Sequence, residues 1–153
     1  MQMTINEIFE NKSEVCNSIL RSLPQWFGIE EAIVDYVHDV QCMPTFVARR
    51  GDEIIGFLSI KIHNEFSAEI HVMGVLETYH RHGVGRQLVQ YAEEFLRRKS
   101  YKFFSVKTLS STRECEEYER TRKFYLSVGF YPLEEFKTLW GEGNPCLMLV
   151  KSF

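Results

Sequence analysis

The stretch that decides the fold lies at residues 75–88 and reads Val-Leu-Glu-Thr-Tyr-His-Arg-His-Gly-Val-Gly-Arg-Gln-Leu. An apolar, β-branched run at about 67–76 precedes it and predicts a strand, and an apolar stripe of helical period follows it. Gly83 and Gly85 therefore stand between a predicted strand and a predicted helix. Because a second strand is predicted at 102–109, the centre of the chain is expected to form a right-handed parallel crossover.

Segments on both sides extend this unit. Apolar residues at helical spacing predict helices, alternating apolar and β-branched residues predict strands, and Gly51-Asp52 between two strands predicts a hairpin. The further predicted helices are 13–23, 29–42 and 117–128, and the further strands are 45–50, 53–63, 130–139 and 145–152. The expected fold class is α+β, with three layers: a mixed, mostly antiparallel sheet of six or seven strands flanked by about four helices.

Length and composition argue against a nucleic-acid-binding, membrane-spanning or zinc-binding protein. The chain has 153 residues, which predicts one domain over 1–153. Its 18 basic and 21 acidic residues leave no cationic excess for nucleic acid, and no apolar run is long enough to span a membrane. The four cysteines show neither Cys-x-x-Cys nor zinc spacing, and the first ten residues are mixed polar. A cytoplasmic protein with reduced thiols and no metal is expected.

The glycine loop is suited to an anion. Two glycines one residue apart let the backbone approach a ligand, and the helix that follows offers free N–H groups and a positive dipole end. The titratable side chains of the loop are His80, Arg81, His82 and Arg86. A pyrophosphate fits this charge, and a tight turn without a ligand is the alternative. The loop has neither the Gly-Lys-Ser/Thr of a P-loop nor the third glycine of a dinucleotide site.

Residues 75–88 resemble motif A of the GNAT superfamily of acyl-CoA-dependent N-acyltransferases, whose pattern is Arg/Gln-x-x-Gly-x-Gly/Ala. Gly83 and Gly85 match its glycines, while His80 takes the first position. Residues 122–130, Arg-Lys-Phe-Tyr-Leu-Ser-Val-Gly-Phe, resemble motif B of the same family. The resemblance covers nearly the whole chain. Two further segments, Trp26-Phe27-Gly28 and 139–147, resemble a small bacterial branch whose acceptor is not settled.

This resemblance implies a site for acetyl-CoA. Its pantetheine arm would pair with the strand before the loop through the backbone of Met73 and Val75, and an N–H near Val75 would face the developing oxyanion. Gly74 between them marks either a bulge that opens a cleft or a point of close packing. Tyr118 stands where many members carry a cofactor-binding Asn. The residues expected at the pyrophosphate are Arg81, His82, Gly83, Val84, Gly85 and Arg86.

The resemblance also implies a general acid, and the strand offers two bases. Tyr125 matches the family tyrosine that protonates the leaving thiolate. Period-two alternation places Glu69, His71, Met73 and Val75 on one face of their strand. Glu69 stands where several protein-directed members carry a base, and His71 lies closer to the thioester and titrates near neutrality. Either residue could take the proton, and some members use no dedicated base.

The expected function is transfer of acetyl from acetyl-CoA to a primary amine of a small molecule or protein, by direct attack in a ternary complex. A non-catalytic acyl-CoA-binding module is the alternative, and a nucleotide-phosphate regulator is disfavoured by the missing lysine and third glycine. Four acidic residues could attract a cationic acceptor or simply form a solvated helix start: Glu114, Glu116, Glu117 and Glu119. The acceptor, the acyl-chain preference and the oligomeric state stay open, with a homodimer among the possibilities.

Overall fold

The computed structural model describes residues 2–153. Seven strands form one sheet: β1 Thr4–Ile8, β2 Thr45–Arg50, β3 Glu53–Ile62, β4 Ser67–Val75, β5 Phe103–Leu109, β6 Tyr131–Phe136 and β7 Cys146–Ser152. Four helices flank it: α1 Lys12–Arg21, α2 Glu30–Asp39, α3 Val84–Arg98 and α4 Glu116–Ser127. The strand order is β1-β2-β3-β4-β5-β7-β6, and within this described sheet β4 and β5 form the one parallel pair. The predicted fold class is confirmed.

One strand was missed at the sequence level. Residues 4–8 pair antiparallel with β2, from Thr4 opposite Arg49 to Ile8 opposite Thr45. This strand lies at the edge of the sheet, and Ile8 is its one buried residue. A strand that buries one side chain leaves no alternating apolar pattern to detect. Strand β1 therefore forms because its backbone pairs with β2.

The two faces of the sheet carry different helices. Side chains of α3 and α4 share one core with Phe104 and Phe130, so both helices cover the same face of the sheet. Right-handed crossovers require this arrangement. The opposite face carries α1 and α2, whose apolar residues pack on Val47 and Phe57. The helices thus define an α3–α4 face and an α1–α2 face of the sheet.

The two central parallel strands separate partway along their length. Pairing between β4 and β5 covers Ser67 to Ile70 against Phe103 to Val106 and then ends. Beyond that point β5 continues to pair with β7 as far as Leu109, and β4 continues to pair with β3. The facing edges of residues 71–75 and 107–109 are therefore left open, and we call the gap between them the β4–β5 cleft.

A bulge in β4 corrects the predicted arrangement of its side chains. Val72 lies opposite Ser59 and Ile70 lies opposite Ile60, so His71 is an extra residue without a partner on β3. A bulge of one residue shifts the alternation. Glu69 and His71 consequently face α1 and α2, whereas Met73 and Val75 pack towards α3 and α4. The prediction that these four side chains share one face was wrong.

Gly74 is a point of close packing. It pairs regularly with Phe57, three residues beyond the bulge. A Cβ at this position would lie 2.9 Å from Cγ2 of Ile19 and 3.2 Å from Cδ1 of Leu23. Helix α1 therefore rests directly on the backbone of β4, and of the two readings of Gly74 the bulge was the wrong one.

Candidate functional site

The glycine loop presents unpaired backbone donors. Gly83 adopts the left-handed conformation, with φ of +79°, and forms the N-cap of α3. The first helical hydrogen bond runs from the N–H of Gln87 to the carbonyl of Gly83 at 3.1 Å. The N–H groups of residues 84–86 therefore have no partner inside the helix and lie at its positive dipole end. This is the geometry that binds a phosphate group.

Gly85, the second glycine of the loop, allows close packing between two helices. A Cβ at Gly85 would lie 3.0 Å from Cζ and 3.2 Å from Cε1 of Phe124, so its absence lets α4 approach the start of α3. Arg86 strengthens the same junction through contacts of 3.5 and 3.3 Å to the carbonyl and hydroxyl of Ser127. Arg81 and His82 are exposed on the loop, and their charge is accessible to a ligand.

The edge of β4 carries free peptide groups into the cleft. Leu76 donates its N–H to the carbonyl of Ile55 at 2.9 Å. Because hydrogen-bonded pairs alternate along antiparallel strands, Met73 and Val75 direct their N–H and C=O groups away from β3 and into the cleft. One of these groups is already engaged, since Nε2 of His80 lies 2.7 Å from the carbonyl oxygen of Val75. His80, which departs from the family pattern, therefore competes for a pantetheine contact.

Tyr125 lies in α4 on the α3–α4 face. It is 6% exposed and packs against Phe124 and Phe130. Burial raises the pKa of Tyr125 well above its ordinary value, with smaller contributions from Tyr118 and Tyr36. The phenol consequently stays protonated across the physiological range, and its hydroxyl is available to donate a hydrogen bond.

A second hydroxyl on this face lacks a partner. Thr108 of β5 is 3% exposed, and within residues 2–153 its Oγ1 makes no hydrogen bond. A buried polar atom left unpaired costs about 1–3 kcal/mol. Thr108 follows Val106 on the α3–α4 face of β5, at the level where β4 has already separated. A polar ligand in the cleft would supply the missing partner.

The loop between α1 and α2 is fastened to α4. The hydroxyl of Tyr118 donates to the carbonyl of Trp26, and Nε1 of Trp26 donates to the carbonyl of Glu117 at 3.3 Å. The Trp26 ring also meets the His80 ring edge-on, with centroids 5.4 Å apart. Tyr118 thus anchors this loop beside the cleft, and burial raises its pKa, so its hydroxyl remains a donor.

The two predicted bases have different partners. Glu69 is 5% exposed; its oxygens lie 3.1 and 3.0 Å from Nζ of Lys107, and Oε1 lies 2.7 Å from Nε2 of His63. His71 lies with Nε2 3.0 Å from Oδ2 of Asp39. Glu69 and His71 are thus both on the α1–α2 face, opposite Tyr125, each with a partner of the complementary chemical type.

Sequence reasoning missed the partners of these bases. Asp39 ends α2, and Tyr36, one turn earlier, places its ring edge-on to His71 at 5.4 Å. Lys107 lies on β5 and His63 just after β3. A carboxylate in the last turn of the predicted helix 29–42 was the one available signal, because a negative charge there opposes the helix dipole.

Two of the four acidic residues around the start of α4 have partners on the same helix. Glu116 lies 3.4 Å from Arg120, and Glu119 lies 3.3 Å from Lys123, each one turn away on the same helix. Such exposed pairs contribute little to stability and leave the side chains solvated.

Residues 2–153 contain neither a candidate membrane-spanning helix nor a candidate metal-binding cluster. No helix there combines the length and apolar character needed to cross a bilayer. No three or more His, Cys, Asp or Glu side chains in that range gather closely enough to hold a metal ion.

The sequence profile of the acetyltransferase (GNAT) family matches residues 12–130. No curated protein matches the chain. Among solved structures, a putative GNAT-family acetyltransferase from Desulfovibrio desulfuricans aligns with TM-score 0.84 and 14% identity, over 99% of each chain.

Two more solved structures have the same fold. An aminoglycoside 6'-N-acetyltransferase complexed with coenzyme A aligns with TM-score 0.78 and 18% identity, over 97% of this chain and 96% of its own. The ribosomal-protein-S18-alanine N-acetyltransferase from Escherichia coli aligns with TM-score 0.78 and 13% identity, over 99% of this chain and 94% of its own. At these identities the likeness concerns the fold alone.

Proposed function

The chain belongs to the acetyltransferase (GNAT) family, and from this premise we propose that it transfers an acetyl group from acetyl-CoA to a primary amine, by direct attack in a ternary complex. One observation carries the proposal: the cleft where β4 leaves β5 is adjacent to the free N–H groups that begin α3. An anionic group and the extended arm attached to it can therefore bind in one continuous site.

The chain's own groups suit each part of acetyl-CoA. The N–H groups of residues 84–86, with Arg81, His82 and Arg86 nearby, bind the pyrophosphate. The backbone of Met73 and Val75 pairs with the pantetheine arm after His80 releases the Val75 carbonyl. The unpaired hydroxyl of Thr108 supports the same placement.

The groups around the thioester divide the chemistry between the two faces of the sheet. When bound, acetyl-CoA supplies an acetyl thioester in the cleft. The N–H groups of Met73 and Val75 point into the cleft, where one of them stabilises the negative charge that develops on the acetyl oxygen. Tyr125 on the α3–α4 face is protonated before the reaction, because burial raises the pKa of its phenol. It donates this proton to the departing sulfur.

The acceptor amine is proposed to approach from the α1–α2 face, where Glu69 and His71 lie. The two enzymes of this fold described above are an aminoglycoside 6'-N-acetyltransferase and a ribosomal-protein-S18-alanine N-acetyltransferase. We therefore keep both a small-molecule amine and a protein amine as acceptor classes.

Two measurements on the purified chain test the proposal. Calorimetry with acetyl-CoA is expected to show one binding site, and a thiol-release assay over polyamines, aminoglycosides and peptides with free amino termini is expected to show turnover with at least one amine. Absence of acetyl-CoA binding would refute the assignment of the cleft. Binding without thiol release from any amine would instead favour the non-catalytic acyl-CoA-binding module.

A further inference from the structure

The last residue of α2 is a carboxylate that reaches the bulge in β4. Oδ2 of Asp39 lies 3.0 Å from Nε2 of His71. A negative charge at a helix C-terminus opposes the helix dipole and costs about 0.3–1 kcal/mol. Asp39 also faces the buried thiol of Cys16, whose pKa is raised to about 12 mainly by burial and further by this carboxylate. Helix stability therefore gives no reason for an acid at this position.

The hydrogen bond to Asp39 fixes which nitrogen of His71 is basic. An ionised carboxylate can only accept, so the neutral imidazole must carry its proton on Nε2 and its lone pair on Nδ1. Within residues 2–153 no group bonds Nδ1, and 19% of the His71 side chain is exposed. The nitrogen that can accept a proton is thus the one left without a partner.

Glu69 is less suited to the same task. Its carboxylate accepts hydrogen bonds from Nζ of Lys107 on both oxygens, at 3.1 and 3.0 Å, and its side chain is 7% exposed. Protonation would turn one of these acceptor oxygens into a donor facing an ammonium group. The pair of Glu69 and Lys107 therefore serves better as a fixed electrostatic element than as a base.

His71 lies where the cleft begins. It is the bulged residue next to Ile70, which forms the last pair with β5 opposite Val106. The bulge turns the imidazole towards α2, where Tyr36 packs edge-on at 5.4 Å, while Met73, two residues on, faces the opposite side. Bulges beside active sites commonly re-aim a side chain in this way.

From these observations we infer that His71 is the proton acceptor for the amine and that Asp39 is its positioning residue. The inference rests on the proposed acetyl transfer and identifies the group that acts on the acceptor side. In the family resemblance the base position corresponds to Glu69, so this chain is assigned a different one.

The proton transfers balance as follows. One N–H bond of the acceptor ammonium breaks, its proton goes to Nδ1 of His71, and the imidazolium later releases that proton to solvent. The neutral amine forms the new C–N bond while the C–S bond of the thioester breaks. A second amine proton reaches the sulfur by way of the Tyr125 hydroxyl, which gives up one proton and regains one. The products are an amide, a free thiol and one proton.

Other titratable groups surround the pair from every element packed against it. Those that face the pair or its close neighbours are Cys16 on α1, Tyr36 on α2, Lys61 on β3, Glu69 on β4, Lys107 on β5, Cys146 on β7 and, after β3, His63. Because Glu69 is neutralised by Lys107, Asp39 is the carboxylate that acts directly on His71.

The experiment compares His71→Gln, Asp39→Asn, Asp39→Glu and the double variant His71→Gln/Asp39→Asn with an amine that the wild-type chain acetylates. We expect His71→Gln to lower kcat by roughly 100-fold, a typical contribution of a general base, and Asp39→Asn to lower it by roughly 10-fold. In both variants the affinity for acetyl-CoA should be unchanged. Asp39→Glu should restore most of the activity, and Asp35→Asn, on an exposed turn of the same helix, is the matched control.

Two readouts separate a positioning role from a structural one. Adding Asp39→Asn to His71→Gln should cost nothing further, because Asp39 acts through the imidazole. The second readout is rescue by Asp39→Glu, which keeps a carboxylate acceptor for Nε2 of His71. Equal losses from Asp39→Asn in both backgrounds, or no rescue by Asp39→Glu, would overturn the inference. If His71→Gln does not fold, the Asp39→Glu rescue still decides.

Failure of the His71 assignment can be distinguished from failure of the proposed acetyl transfer. A wild-type chain that releases no thiol with any amine contradicts acetyl transfer itself. A wild-type chain that turns over, with a Glu69→Gln variant that loses activity and a His71→Gln variant that does not, contradicts only the choice of base.

Discussion

Replacing Gly83 with valine tests the phosphate-binding loop most directly. Gly83 has φ of +79°, and apart from its chain neighbours no residue has an atom within 4 Å of the position that a Cβ would take. Space is therefore not the obstacle, and the cost of a side chain comes from the backbone conformation. A residue with a Cβ pays about 1–2 kcal/mol in the left-handed region, and a β-branched residue is a clear outlier there.

The size of the effect of Gly83→Val depends on how the loop responds to the added side chain. If it keeps its shape, 1–2 kcal/mol of strain lowers the melting temperature by about 2–8 °C for a chain of this size. If it relaxes instead, the N–H groups of residues 84–86 no longer converge. Each lost hydrogen bond to a charged phosphate is worth about 1.5–3 kcal/mol, which weakens acetyl-CoA binding by roughly 10- to 150-fold. We expect Gly83→Val to show the second response, with the fold retained.

Gly83→Asn is the matched control, because asparagine enters the left-handed region far more readily than valine. The assay is titration calorimetry with acetyl-CoA beside a thermal unfolding curve of each variant. The asparagine variant should bind nearly as the wild type does. A valine variant that binds acetyl-CoA normally, or an asparagine variant that loses as much affinity as valine, would refute the assignment of these N–H groups to the pyrophosphate.

Three further outcomes are expected. Lys151→Met should lower the free energy of unfolding in urea by about 1–3 kcal/mol, because Lys151 bonds the carboxylate of Glu93 at 2.5 Å and its loss leaves that partly buried charge unpaired; a loss below about 1 kcal/mol would contradict this. Tyr125→Phe should lower kcat by roughly 100-fold in the thiol-release assay with unchanged acetyl-CoA affinity, and the reverse pattern would make Tyr125 a packing residue. At pH 8 an aromatic disulfide reagent should not label Cys16 or Cys146, because burial raises their thiol pKa values to about 12 and about 11 and both stay protonated. Equal labelling rates for all four thiols would contradict the prediction, since the more accessible pair is Cys42 and Cys115.

Local signals in the sequence were sufficient for most of the scaffold. The change from period two to a helical period across residues 67–98, with Gly83 at the junction, marks a strand, a loop and a helix that all appear in the structure. Two positive-φ glycines, Gly83 and Gly129, stand at the helix ends where the sequence placed them. These features depend on residues close together in the chain, and a short window of sequence contains them.

The errors concern pairing between distant segments. Residues 4–8 become a strand only because β2 offers them an edge. The face on which Met73 and Val75 lie depends on a bulge at His71, which is defined by the register against β3 and which Gly74 did not mark.

By itself the sequence determined the fold class, the family and the loop that is suited to a pyrophosphate, because strand and helix periods and the two-glycine spacing are local properties of the chain. Only the tertiary structure decided which groups meet across the sheet. Asp39 and His71 are thirty-two residues apart, and Glu69 and Lys107 are thirty-eight apart. Such contacts arise from helix packing and strand register, which reflect the burial of the whole core, and no single segment encodes them.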